Sequence, residues 1–115
     1  MSKTCDTMIC PVEATIRLIG GKYKAVILWH LMNTTLRYSE IHKKMPGATD
    51  KMLAQQLREL EKDGLIRRTV YPVVPPKTEY SLTEFGKSLA PILDAMCNWG
   101  KEYLLYEEKQ EGGVR

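Results

Sequence analysis

The chain is short of most parts that catalysis, secretion and membrane residence require. No apolar run approaches the ~18 residues of a bilayer-spanning helix. The opening M-S-K-T-C-D carries no apolar core of the kind found in a secretory leader. A cytoplasmic protein is expected. Three cysteines, an odd number, do not form the paired framework of a small secreted domain. Cys5, Cys10, Cys97, His30 and His42 are the candidate metal ligands, but no C-x-x-C or H-x-x-x-H spacing joins any two of them, so no metal is expected. Gly20-Gly21-Lys22 lacks the spacing of a phosphate-cradling loop, and no serine stands in a nucleophile context with His and Asp. Neither an enzyme activity nor a cofactor is expected, and no internal repeat or low-complexity segment appears.

What is present suits one soluble domain. At 115 residues, 43% hydrophobic and 27% charged, the chain is long enough to bury a core without disulfides. The net charge of +3 says little, but its placement says more. Between Arg37 and Lys77 there are nine Lys/Arg against five Asp/Glu, a balance of +4; the remaining eight basic and nine acidic residues give −1. The whole excess sits in the middle of the chain, as contact with a polyanion requires.

Along the chain, residues 1–9 read as a loose arm. Pro11 opens a helix whose inner face carries Val12, Ile16 and Ile19, ended by Gly20-Gly21. Lys22 to Met32 reads as a central helix with Val26, Ile27, Trp29, Leu31 and Met32 mostly buried. A short third helix follows from Arg37-Tyr38-Ser39-Glu40-Ile41, capped by Ser39 and stopped by Pro46-Gly47. Thr49 caps a fourth helix that Gly64 terminates. Leu65–Val70 and Lys77–Leu82 read as antiparallel strands around the tip Tyr71-Pro72-Val73-Val74-Pro75-Pro76, too rich in proline to lie inside a sheet. Thr83 caps a long last helix in which Pro91 marks a kink or break. Residues 108–115 read as a flexible tail. Four helices, a hairpin and a helix make a mainly α chain with a small β-hairpin wing, the order of a winged helix-turn-helix.

The fourth helix carries the function. Leu53, Gln56, Leu57 and Leu60 share its inner side, and Lys51, Gln55, Arg58 and Lys62 the outer side. Arg and Lys complement guanine edges or phosphates, and Gln complements adenine. Lys51 and Gln55, with Ala54 beside them, lie near the end that reaches bases, and Arg58 lies where phosphate is met. Ser39, Lys43 and Lys44 of the preceding helix suit backbone phosphates, and Lys77 on the wing suits the adjacent minor groove or backbone. Of Arg67 and Arg68, alternation turns one outward. The bland alternative is an ordinary solvated face. The competing function is a winged-helix module that binds protein rather than DNA.

Phe85, Leu89, Ile92, Met96, Trp99, Tyr103 and Tyr106 recur at alternating steps of four and three, a heptad seam in the last helix. A lone domain of this size covers such a face poorly. A homodimer through the terminal helices, with Ile92, Met96, Trp99 and Tyr103 in its interface, is the expectation.

In their order, C-P-V-E at Cys10–Glu13, L-I-G-G-K at Leu18–Lys22, R-Y-S-E-I at Arg37–Ile41, K-M-L-A-Q-Q-L-R-E-L-E-K-D-G-L-I-R-R at Lys51–Arg68, Y-P-V-V-P-P-K-T-E-Y-S-L-T at Tyr71–Thr83 and W-G at Trp99-Gly100 resemble the HxlR-type family of bacterial transcription regulators, relatives of the MarR group. The resemblance spans residues 10–107, taken as the domain. Tyr23 and Tyr38 stand where that family usually has Trp and often Phe. The resemblance implies a winged helix-turn-helix homodimer that binds an inverted-repeat operator in double-stranded DNA. It also implies that Cys10, matching a cysteine that senses oxidants or electrophiles in some members, pairs as a redox switch with Cys97 or Cys5. A helix start lowers a thiol's pKa. The other reading of Cys10 and Cys97 is that of small packed residues.

Overall fold

A computed structural model describes residues 9–112, with side chains through Gln110. The expected arm therefore falls almost wholly, and Cys5 entirely, outside the described residues. Among the described residues nine elements follow in order: α1 Pro11–Ile19, α2 Lys24–His30, β1 Leu36–Arg37, α3 Tyr38–Lys44, α4 Asp50–Lys62, β2 Ile66–Tyr71, β3 Lys77–Leu82, α5 Glu84–Lys87 and α6 Ala90–Gly112. The core gathers Ile27, Leu28 and Leu31 of the α2 segment, Ile41 of α3, Leu53, Leu57 and Leu60 of α4, and Leu65, Ile66, Tyr80 and Leu82 of the hairpin.

Local chemistry explains the ends of α4. The Thr49 hydroxyl accepts the Met52 N–H at 3.1 Å. At the other end Gly64 takes φ 78°, the Gly64 N–H donates to Glu61 O and the Leu65 N–H to Leu60 O, both at 3.0 Å. That double closure needs a left-handed residue, which glycine supplies without a Cβ penalty. It turns the chain straight from α4 into β2.

The hairpin pairs in register from Ile66↔Leu82 to Tyr71↔Lys77. A third strand, not foreseen from the sequence, lies on its other edge: Leu36 pairs Tyr80 and Arg37 pairs Glu79, giving the order β1-β3-β2. Two residues carry no legible alternation, so only the contact with β3 reveals this strand.

The same strand moves the cap of α3. Arg37 holds the cap position and its N–H donates to the Glu40 carboxylate at 2.8 Å, while Ser39, expected as the cap, is already inside the helix. On α2, Leu28 is fully buried, and Val26 and Trp29 are each about two-fifths exposed, at 41% and 39%. They were expected inside. They face a cavity of ≈ 230 Å³ between α2 and α6, lined also by Ala25, Leu93, Met96 and Cys97. Pro91 breaks the last helix rather than kinking it. Thr83 caps only the short α5, the chain turns at Ser88–Leu89, and α6 begins anew with Pro91 in its first turn, where a missing N–H costs nothing. α6 then runs on through Gly112, past Glu107. The heptad seam is thereby divided: Leu89, with Leu93 beside the seam, turns into the protein's own core, and Phe85 on α5 stays half exposed.

Candidate nucleic-acid interface

The turn between α3 and α4 is set by polar bonds across it. The Tyr38 hydroxyl donates to Asp50 Oδ1 at 2.8 Å. Burial first, and then this bond to a carboxylate, push the Tyr38 hydroxyl up to about 12, so it remains a donor throughout the neutral range. His42 stacks on Tyr38, with ring centroids 6.1 Å apart, and its Nε2 lies 3.0 Å from Ala48 O and 3.6 Å from Asp50 Oδ1. Asp50 sits in the first turn of α4, where its charge complements the helix dipole. These contacts fix the angle at which α4 leaves α3.

α4 buries Leu53, Leu57 and Leu60 and exposes Lys51, Gln55, Arg58 and Lys62 along its opposite side. Gln56, placed on the inner side by the helical wheel, has a structural task. Its Oε1 accepts the Tyr23 N–H at 3.3 Å, and a Cβ on Gly21 would collide with that oxygen. Glycine at 21 thus leaves room for the Gln56 amide in this position. A second tie is ionic: Lys24, only 7% exposed, puts its Nζ 2.7 Å from Glu59 Oε1.

Around α4 the other predicted contacts are arranged unevenly. Ser39, Lys43 and Lys44 are exposed on α3. Lys44 lies close enough to His30 that its charge adds to burial in holding the His30 pKa down. Ser39 faces the wing across a cleft of ≈ 560 Å³, together with Arg37, Lys77 and the tip from Val73 to Pro76. Lys77 is drawn back onto its own hairpin: Nζ is 3.3 Å from Glu79 Oε2 and 5.2 Å from the Tyr71 ring centre. The Tyr71 hydroxyl, and then Lys77, hold the Glu79 carboxyl below the ordinary range. The wing tip itself is apolar, with Val74 99% exposed.

Two cations were missed as site residues. Arg37 joins the cleft just described. Arg68 joins Arg58, Tyr38, Ala54, Glu61 and Tyr80 around a hollow beside α4. Both Arg67 and Arg68 are exposed, although alternation frees only one. Alternation from buried Ile66 does put Arg68 on the α4 side, and that signal was available in the sequence.

Away from this face, Ile92, Met96, Trp99 and Tyr103 are all exposed on α6, Trp99 at 71%, and Trp99 stacks on Tyr103 at 5.7 Å. Val12 and Ile16, expected on the inner face of α1, are exposed too; only Ile19 of that helix is buried. Cys10 precedes Pro11 at the cap of α1, Cys97 lines the α2–α6 cavity, and both thiols are half-buried. Among the described residues no three His, Cys, Asp or Glu gather into a metal-binding group, and no helix is long and apolar enough to cross a membrane.

Comparison with known proteins places this geometry. The model of the HxlR-like helix-turn-helix family matches residues 18–108. An HTH-type transcriptional regulator of Methanothermobacter thermautotrophicus is 52% identical over 103 residues, which cover 90% of this chain and 79% of that protein. The solved structure of the HTH-type regulator ytcD is 54% identical, with a TM-score of 0.79 over 84% of this chain and 98% of that one. The redox regulator HypR in its reduced form is 46% identical, with a TM-score of 0.81 over 86% of this chain and 98% of that one; it is also solved in an oxidised form.

Proposed function

This chain belongs to the HxlR-like helix-turn-helix family, and on that premise we propose how it works as a DNA-binding transcriptional regulator. Two copies pair through α6 with help from α1. Each lays α4 in a major groove of double-stranded DNA, and the pair reads an inverted repeat whose half-sites lie about one helical turn, roughly 34 Å, apart. The observation that carries this reading is the outer row of α4, Lys51, Gln55 and Arg58, exposed while its leucines are wholly buried. Such a helix is rigid from behind and free in front. Lys51 and Gln55 meet base edges. Arg58 with Arg68, and Ser39 and Lys43 on α3, meet phosphates. The family and the cationic row together favour DNA over a protein partner. Gene regulation places the chain in the cytoplasm.

Dimerisation supplies the second reading head. The apolar residues left open on α6 and α1 form the kind of face that a second copy covers. A redox response is the further part of this function, by analogy with HypR. Cys10 and the Cys97 thiol of a second copy lose two protons and two electrons to an oxidant such as diamide and join as a disulfide. That bond would lock the two α1–α6 faces in one relative position.

Gel shifts with genomic fragments test DNA binding. Retained binding by Lys51→Ala and Arg58→Ala would exclude α4 as the reading helix. Non-reducing electrophoresis after diamide tests the switch. Monomer bands alone, with operator binding unchanged, would rule it out.

A further inference from the structure

The ionic tie between α2 and α4 has a branch that points outward. Glu59 divides its two oxygens: Oε1 takes Lys24 Nζ at 2.7 Å, and Oε2 takes the Gln55 side-chain Nε2 at 3.2 Å. Lys24 comes from beneath, nearly sealed from water, and Gln55 stands on the exposed row. The bonds from Lys24, then Gln55, hold the Glu59 carboxyl below its ordinary range, so at neutral pH it is an acceptor only. An acceptor-only neighbour decides which end of an amide faces it: the NH₂ must turn inward. Gln55 then presents Oε1 and its remaining N–H outward. An acceptor beside a donor is the pair that complements the N6–H and N7 of adenine. A released amide turns over freely, and with its NH₂ foremost it donates as readily to the N7 and O6 of guanine.

The geometry points to Lys24 as a positioning residue for base recognition: acting through Glu59, it sets the orientation of the Gln55 amide and with it a preference for adenine over guanine at one step of each half-site. This rests on the reading of α4 as the groove helix. Lys24 never touches DNA. Because only the lysine of the pair is buried, and its desolvation offsets the attraction, the pair adds little to stability, whereas its directional bonds fix one rotamer on the reading face.

The test uses the full-length protein, a pool of randomised duplex DNA and one fixed salt concentration. The selected duplex and its single-step variants then give the preference at every position. Gln55→Ala is expected to lose preference at one step. Lys24→Met is expected to lose the adenine preference at that same step by about fivefold or more, with the other steps and the salt dependence unchanged, and Lys24→Arg is expected to retain it. Should Lys24→Met fail to fold, the double variant Lys24→Met/Glu59→Leu tests the Lys24–Glu59 pair as a unit, since it leaves no carboxylate without its lysine. If Gln55→Ala erases the preference and the Lys24 variants keep it, the positioning role is overturned and the reading of α4 survives. A uniform loss of affinity at all sequences on changing Lys24 also overturns it, as the mark of a merely structural residue. If Gln55→Ala changes nothing, α4 does not read bases through Gln55, and both fall.

Discussion

α4 and α6 both carry large apolar side chains at helical spacing, and the rows meet opposite fates. On α4, Leu53, Leu57 and Leu60 are buried completely or nearly so, and the cations stand outside. On α6, among the residues whose side chains are described, only Leu93 is deeply buried, while Ile92, Met96, Trp99, Tyr103, Leu104, Leu105 and Tyr106 stay open. The first helix is finished within one chain, because α2, α3 and the hairpin surround it. The second runs off the end of that core, and among the described residues none covers its outer face. Amphipathic spacing therefore says that a face wants cover. It does not say which chain provides it.

The same kind of truncation separates the two. Leu57→Ala is expected to cost about 2–5 kcal/mol of folding stability, since a buried leucine leaves a cavity as well as lost contacts; urea unfolding monitored by circular dichroism measures it. Trp99→Ala should leave the diluted monomer within about 0.5 kcal/mol of the parent, as an exposed site does, yet weaken self-association by about 2 kcal/mol or more as the loss of an interface anchor. Sedimentation across a concentration series reads that difference. If both truncations cost the monomer alike, the contrast between the helices is false.

The outer face of α4 gives a smaller effect. Arg58→Ala should lower affinity similarly for all duplexes and reduce the slope of log affinity against log salt by about 0.9 per DNA contact removed. A loss confined to one base step would instead make Arg58 a base reader. The least effect is expected from His30, whose pKa is held down by burial and then by Lys44. Its folded pKa lies below the ordinary value, so the unfolded chain takes up a proton first. Stability is thus full at neutral pH and declines as pH falls through about 6.5, levelling off below the folded pKa. Glu59 has the depressed carboxylate of the opposite case, with stability lost only at lower pH, as its folded carboxyl protonates. Melting curves between pH 5 and 7.5 therefore report on His30, and His30→Gln should flatten them.

How much could be read in advance follows the same division. The cap at Thr49, the left-handed turn at Gly64, the pairing of β2 with β3 and the two-sided character of α4 are legible because each depends on residues a few positions apart. The cap of α3 was misplaced at Ser39 because β1 exists only by pairing with β3, more than forty residues later. Trp29 and Val26 were placed inside because helical spacing cannot distinguish a core from an open cavity. Pro91 announced a disturbance, but whether α5 and α6 form one helix or two depended on how Leu89 reached the core. Arg68 was overlooked although Ile66 pointed to it, and Lys24 gave no sign at all.

The sequence by itself determined the run of helices, hairpin and last helix, the cap at Thr49, the turn at Gly64, the cationic middle and the two rows on α4, because these arise from the period of the helix, the φ preferences of glycine and proline, and charge counted along the chain. Only the tertiary structure decided that a lysine is buried, that Gly21 makes room for Gln56, and that Glu59 joins the core to an amide on the reading face. The contacts that join α2 to α4 link residues more than thirty positions apart. Burial and hydrogen-bond geometry belong to the packed arrangement of helices, and no local pattern in the chain encodes them.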